Sequence, residues 1–219
     1  MQMANAEEEL AKGCYGYGSW KAPYWFIGPE QGQSAAEYDD LKLRFEAFRK
    51  LGKDGLCDCG IFHDFIRETR WHRARKPALQ PTWRRLVLLL LTFLKQDSDN
   101  DSIRAYQRDQ WGRLSGETCV IELSGLPARN LNVFRARDAF REKRIRFIRQ
   151  KLLAFKPVFV VMYGMRAKKC WEEIAGIRLA VSKARKVNSI IVAFAAHPVS
   201  FGLKKKYWAV LGRRMRRLT

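Results

Sequence analysis

Four short apolar runs, each stopped by a turn, constrain this chain more than any other feature. They occupy 23–28, 118–123, 158–163 and 189–196, and are rich in Val, Ile and aromatic residues. Runs that are apolar throughout, rather than at every second residue, belong to strands covered on both faces, as in a parallel sheet. Helical patterns separate them, over 37–51, 82–94 after Pro81, 138–155, 166–175 and 204–218. The stretch from 32 to 117 is long enough for several helices. Strands alternating with helices predict an α/β fold: a three-layer α/β/α sandwich around a central, mostly parallel four-stranded sheet. The 219 residues fit a single domain, 1–219, with a flexible N-terminal segment over 1–12 and a basic C-terminal helix over 204–219.

In such sheets ligands bind outside the carboxyl ends of the strands. The first run ends in Gly28-Pro29-Glu30-Gln31-Gly32, a tight turn carrying one carboxylate. The last runs into His197-Pro198-Val199-Ser200. The two turns would set Glu30 and His197 on one rim, with 122–127 and 163–165 between them. Taken singly, each has a plainer reading: Glu30 caps a helix, and His197 bonds to backbone. The other histidines, His63 and His72, sit in helix-like stretches beside aromatic residues and read as structural.

The chain carries 42 Lys and Arg against 22 Asp and Glu, a formal charge of +20. The excess is uneven. Residues 1–60 hold 7 basic and 10 acidic side chains, whereas 61–219 hold 35 and 12. A field of this size favours polyanions. Basic stretches include Arg67, Arg70, Arg73, Arg75 and Lys76 around Trp71, and the polar face of the helix near 135–151. Ser200, Phe201, Gly202 and Leu203, followed by Lys204, Lys205 and Lys206, form a loop with an apolar tip and a basic base. Such a loop suits a wedge that unstacks bases while lysines hold phosphates; the alternative is a loop anchored by Phe201 in the core.

Several classes are disfavoured. There is no phosphate-binding loop of P-loop type and no nucleophile elbow. The apolar stretch 86–94 is too short to span a bilayer, and no secretory signal opens the sequence. The five cysteines, Cys14, Cys57, Cys59, Cys119 and Cys170, form no C-x-x-C pair and read as reduced thiols, so neither a metal nor another cofactor is expected. A cytoplasmic protein, nucleoid-associated if bacterial, monomeric and without a membrane partner, is the expectation.

Taken in order, these strand ends resemble the uracil-DNA glycosylase superfamily. Gly28-Pro29-Glu30-Gln31-Gly32 is similar to the family's first motif, His197-Pro198 to its last, and Lys156-Pro157 with the following strand, Gly164 and Ala167 to a middle segment. The resemblance covers roughly 23–215. Gln31 stands where relatives often carry Pro, Val199 follows His-Pro where they carry Ser, and the Asn that ends their second strand is missing, with Glu122 and Ser124 in its neighbourhood. The early C-x-x-C of the iron–sulfur members is also missing, so the chain looks like a cluster-free member.

The resemblance implies a monofunctional DNA glycosylase of base excision repair. It would flip uracil, or another deaminated base, out of DNA and hydrolyse the N-glycosidic bond. Glu30 would position water and His197 would donate to the departing base. Gly28, Pro29, Gln31, Gly32, Glu122 and Ser124 would surround the base, and Phe62, or else Phe45, would stack on it. Ser200, Phe201, Leu203, Lys204, Lys205, Lys206, Gly164 and Arg166 would touch DNA, with Phe201 or Leu203 filling the vacated space. Two other classes account for the same charge: a non-catalytic DNA- or RNA-binding protein on this fold, and a nucleotide-metabolising enzyme with a basic surface.

Overall fold

The structure, a computed structural model, describes residues 3–30, 37–126 and 140–219, with side chains described from 8 in the first segment and from 41 in the second. A seven-stranded sheet runs through it. The strands are β1 (Gly16–Tyr17), β2 (Tyr24–Glu30), β3 (Leu56–Cys57), β4 (Thr118–Ser124), β5 (Phe159–Tyr163), β6 (Lys183–Val187) and β7 (Ile190–Ala195), in the order β3-β1-β4-β2-β5-β7-β6. The helices are α1 (Met3–Gly13), α2 (Glu37–Leu51), α3 (Cys59–Phe65), α4 (Pro81–Leu94), α5 (Asn100–Asp109), α6 (Arg141–Phe155), α7 (Lys168–Ala175) and α8 (Lys205–Arg216).

The four apolar runs become β2, β4, β5 and β7, which are mutually parallel and adjacent at the centre of the sheet. Their side chains alternate between two cores. Phe26, Val120, Val161 and Ala193 face the layer of α4 and α8, and Ile27, Ile121, Val160 and Val192 face that of α6 and α7. Proline at the start of α4 needs no amide partner, and the Gln80 side chain accepts from the Trp83 amide to close the first turn. Gly212 lets α8 lie directly on α4, since a Cβ there would come 2.4 Å from the Leu89 carbonyl oxygen.

The sheet therefore has seven strands, not four. The additional ones are polar or minimal: β1 and β3 have two residues each, and β6 is a charged edge strand paired antiparallel to β7. Lysine and arginine along such an edge discourage pairing with another chain. The N-terminal segment is also not a loose extension. It forms α1, and Leu10, Ala11 and Cys14 are buried with Leu41, Phe45 and Leu126. All five cysteines are free, and only Cys170 is even partly exposed. No helix among the described residues is long and apolar enough to cross a membrane.

Candidate active site at the carboxyl rim of the sheet

From β2 the chain crosses to β4 on one side and then returns to β5 on the other, so the connections diverge between β2 and β5. Ligands of open parallel sheets bind at the carboxyl ends beside such a switch point. Glu30 closes β2 there, in register with Ser124 on β4, and Gly28 is in register with Glu122. Tyr163 closes β5 opposite Ala195, and His197 follows β7 by two residues. By the alternation of each strand, Gly28, Glu30, Glu122, Ser124 and Tyr163 continue the face of Phe26, Val120 and Val161.

Tyr163 ties this rim together. A Cβ on Gly28 would meet the Tyr163 hydroxyl at 2.2 Å, so glycine is needed for close approach, not for a left-handed backbone. The Tyr163 ring meets His197 edge-on, with centroids 5.5 Å apart. Burial, with Glu122 nearby, pushes the Tyr163 phenol far up, so it is a neutral donor. His197 is half-buried, and its Nδ1 accepts from the Val199 amide at 3.4 Å. Burial and the Arg85 charge lower its pKa below the ordinary histidine value. A neutral ring that accepts at Nδ1 carries its proton on Nε2, where it can be donated outward.

Glu122 is 5% exposed, and its Oε2 has no hydrogen-bond partner among the described residues. Burial and then the neighbouring Glu30 push its pKa up to about 8, against the pull of Arg144. Glu122 is thus a neutral acid at physiological pH, offering one donor and one acceptor. Ser124 is less available, because its Oγ accepts from the Leu126 amide at 3.2 Å and closes the turn.

Arg144 belongs by sequence to the basic face of the helix near 135–151, open to solvent or phosphate, yet the fold buries it. It is 1% exposed. Its guanidinium donates to the carbonyls of Leu123, Ala11, Cys14 and Glu122 at 2.6–3.1 Å and lies over the Tyr15 ring at 4.1 Å. It fixes the backbone of the β4 end from below.

The loop after His197 divides its apolar residues. Leu203 packs on the core, whereas Phe201 is fully exposed at 107%. Phe201 is therefore the tip of the loop and not its anchor. Gly202 beside it has φ +76° and open space around it. Lys204, Lys205 and Lys206 are exposed; partial desolvation, and then the charges of Arg84 and Arg85 at the start of α4, lower the Lys205 pKa. That arginine pair, two charges opening an otherwise apolar helix, is a signal the sequence itself carries.

Other expected residues fall elsewhere. Phe62 is 1% exposed, packed against Tyr17 and His63, and Phe45 is buried against α1. Neither offers an open face to a base, so the stacking role assigned to them is not supported; Tyr163, at the rim, is itself 3% exposed. Gly164 is buried at φ +99°, its amide bonded to the Ala195 carbonyl and its carbonyl to Trp171, which makes it a turn residue; Arg166 beside it is exposed. Pro29 lies between Gly28 and Glu30, half-buried. Gln31 and Gly32 lie outside the described residues. A surface hollow lined by Ser19, Lys21, Gln110 and Glu117 lies at the opposite, amino ends of the strands, away from these groups.

No protein-family profile matches the chain, and no curated protein matches it in sequence.

Proposed function

We propose that the chain is a DNA glycosylase that flips a deaminated base, uracil foremost, from DNA and hydrolyses its N-glycosidic bond. The observation that carries this reading is the Tyr163 bridge, which links the strand end bearing Glu30 to His197, four residues before the exposed Phe201. In the reaction the C1′–N bond breaks, leaving a cationic sugar and an anionic base. Glu30 stabilises the sugar and orients the water whose oxygen bonds to C1′, and the water proton passes to the carboxylate. The Nε2–H of His197 donates to the oxygen on which the charge of the leaving base develops. Phe201 occupies the space the base vacates, and the lysines behind it hold phosphates.

Incubation with a uracil-containing duplex is expected to leave alkali-cleavable abasic sites, and Glu30→Gln is expected to leave none above background. Salt-sensitive binding of the duplex with no base release would favour the non-catalytic nucleic-acid-binding reading.

Glu122 supports a deaminated base. Uracil, hypoxanthine and xanthine each present a ring N–H beside a carbonyl, and a neutral carboxylic acid meets both with its acceptor and its donor. An ionised carboxylate meets only the N–H and repels the carbonyl. Base release is therefore expected to decline as pH rises through about 8, where Glu122 ionises. Glu122→Gln keeps one donor and one acceptor and should abolish that decline; a variant that still loses activity over the same range would count against the assignment. Stability follows with a definite sign. The folded pKa lies above the ordinary 4.5, so the native state loses stability relative to the unfolded chain as pH rises from 4.5 to about 8. The glutamine variant should lack that loss.

A further inference from the structure

Away from the rim, three buried side chains turn their donor atoms toward one point. Cys59 and His63 stand one helical turn apart on α3, and His72 reaches them from the segment 66–80. The Cys59 Sγ lies 3.6 Å from His63 Nδ1 and 3.7 Å from His72 Nε2. With Zn–S about 2.3 Å and Zn–N about 2.0 Å, a tetrahedral zinc spaces its sulfur and nitrogen ligands about 3.6 Å apart. None of the three side chains is more than 7% exposed. The thiol can serve His72 Nε2 while His63 Nδ1 donates to the Cys59 carbonyl at 2.7 Å, but one metal ion could take all three donor atoms at once.

We propose that Cys59, His63 and His72 bind a zinc ion that fastens the basic segment 66–80 to α3. Binding releases the thiol proton to solvent. It also moves the His63 proton from Nδ1 to Nε2, exchanging the bond to the Cys59 carbonyl, now 2.7 Å, for a bond to the metal. The fourth position falls to water or another small ligand. The surrounding charge tolerates the ion, because Arg113 nearby is already paired with Asp58 at 2.7 Å. The segment so held carries Arg70, Arg73, Arg75 and Lys76, all exposed, and His72 is its buried hold on α3. From the other side, Gln107 bonds the Trp71 and Ala78 carbonyls.

Cobalt titration of the metal-free protein tests this. One Co²⁺ per chain is expected, with a thiolate-to-metal charge-transfer band and intense tetrahedral visible bands, both displaced by Zn²⁺. Cys59→Ser should lose the charge-transfer band, and Cys170→Ser should keep it. His72→Ala, outside any helix, makes the same test should Cys59→Ser fail to fold. Chelation should speed tryptic cleavage after Arg73 and Arg75. Absence of the band from the unmodified protein, or its persistence in Cys59→Ser, would overturn the site. Cleavage indifferent to chelator would overturn its fastening role.

Discussion

Arg144→Ala is expected to cost at least about 4 kcal/mol and to lower the melting temperature by about 10 °C or more, an exceptional loss for one side chain. The reason is what truncation leaves behind. Leu123, Ala11, Cys14 and Glu122 each give a buried carbonyl to this guanidinium. Each acceptor left without a donor costs about 1–3 kcal/mol, and the total is large even where the contributions overlap. The packing on Tyr15 is lost as well. Lysine should not rescue the protein, because a point charge cannot serve carbonyls from α1 and β4 at once as the planar fork does. Thermal or denaturant unfolding followed by circular dichroism measures the effect. A loss below about 1 kcal/mol, the size expected of a solvated surface residue, would show that Arg144 does not hold these strands together.

His197→Ala is expected to slow base release about 100- to 1000-fold, the usual effect of removing one donor aimed at a developing oxyanion. The loss should fall on kcat with KM nearly unchanged, because the charge it meets appears only as the bond breaks. Fold and stability should be largely retained, since His197 is half-buried and its hydrogen bond from the Val199 amide is a long one, at 3.4 Å. Single-turnover rates on a uracil duplex make the measurement. Full activity in the variant would remove His197 from the mechanism, and a rise in KM alone would reassign it to ground-state binding.

The centre of the fold was legible because strands buried on both faces must be apolar throughout, and 23–28, 118–123, 158–163 and 189–196 stand out against a charged background. Their order along the chain also located the rim, since the carboxyl end of a strand is simply its later end. What was not legible depended on contacts distant in sequence. Nothing local distinguishes the buried Arg144 from Arg146 or Arg149, because its partners are carbonyls more than a hundred residues earlier as well as on β4. β6 carries Lys-Ala-Arg-Lys-Val, which reads as a loop until β7 lies beside it. Tyr163 stands in the rim segment 163–165 in the sequence, but nothing local shows that its ring meets His197. Both Tyr163 and Phe62 are buried, and what sets Tyr163 apart is its place at the end of β5 with its ring against His197.

The close seat of α8 on α4 has a mechanical consequence. A side chain driven into a stack of bases is pushed back by the stack it parts, and a compliant loop would simply yield. Here the short arm bearing Phe201 springs from β7 on one side and enters α8 on the other. Gly212 lets α8 bear on the backbone of α4 with no intervening side chain, and Trp208, Leu211 and Met215 lock it into the same core. Under the proposed function, thrust on the tip would be carried into this packed core, so the duplex would have to deform before the arm yields.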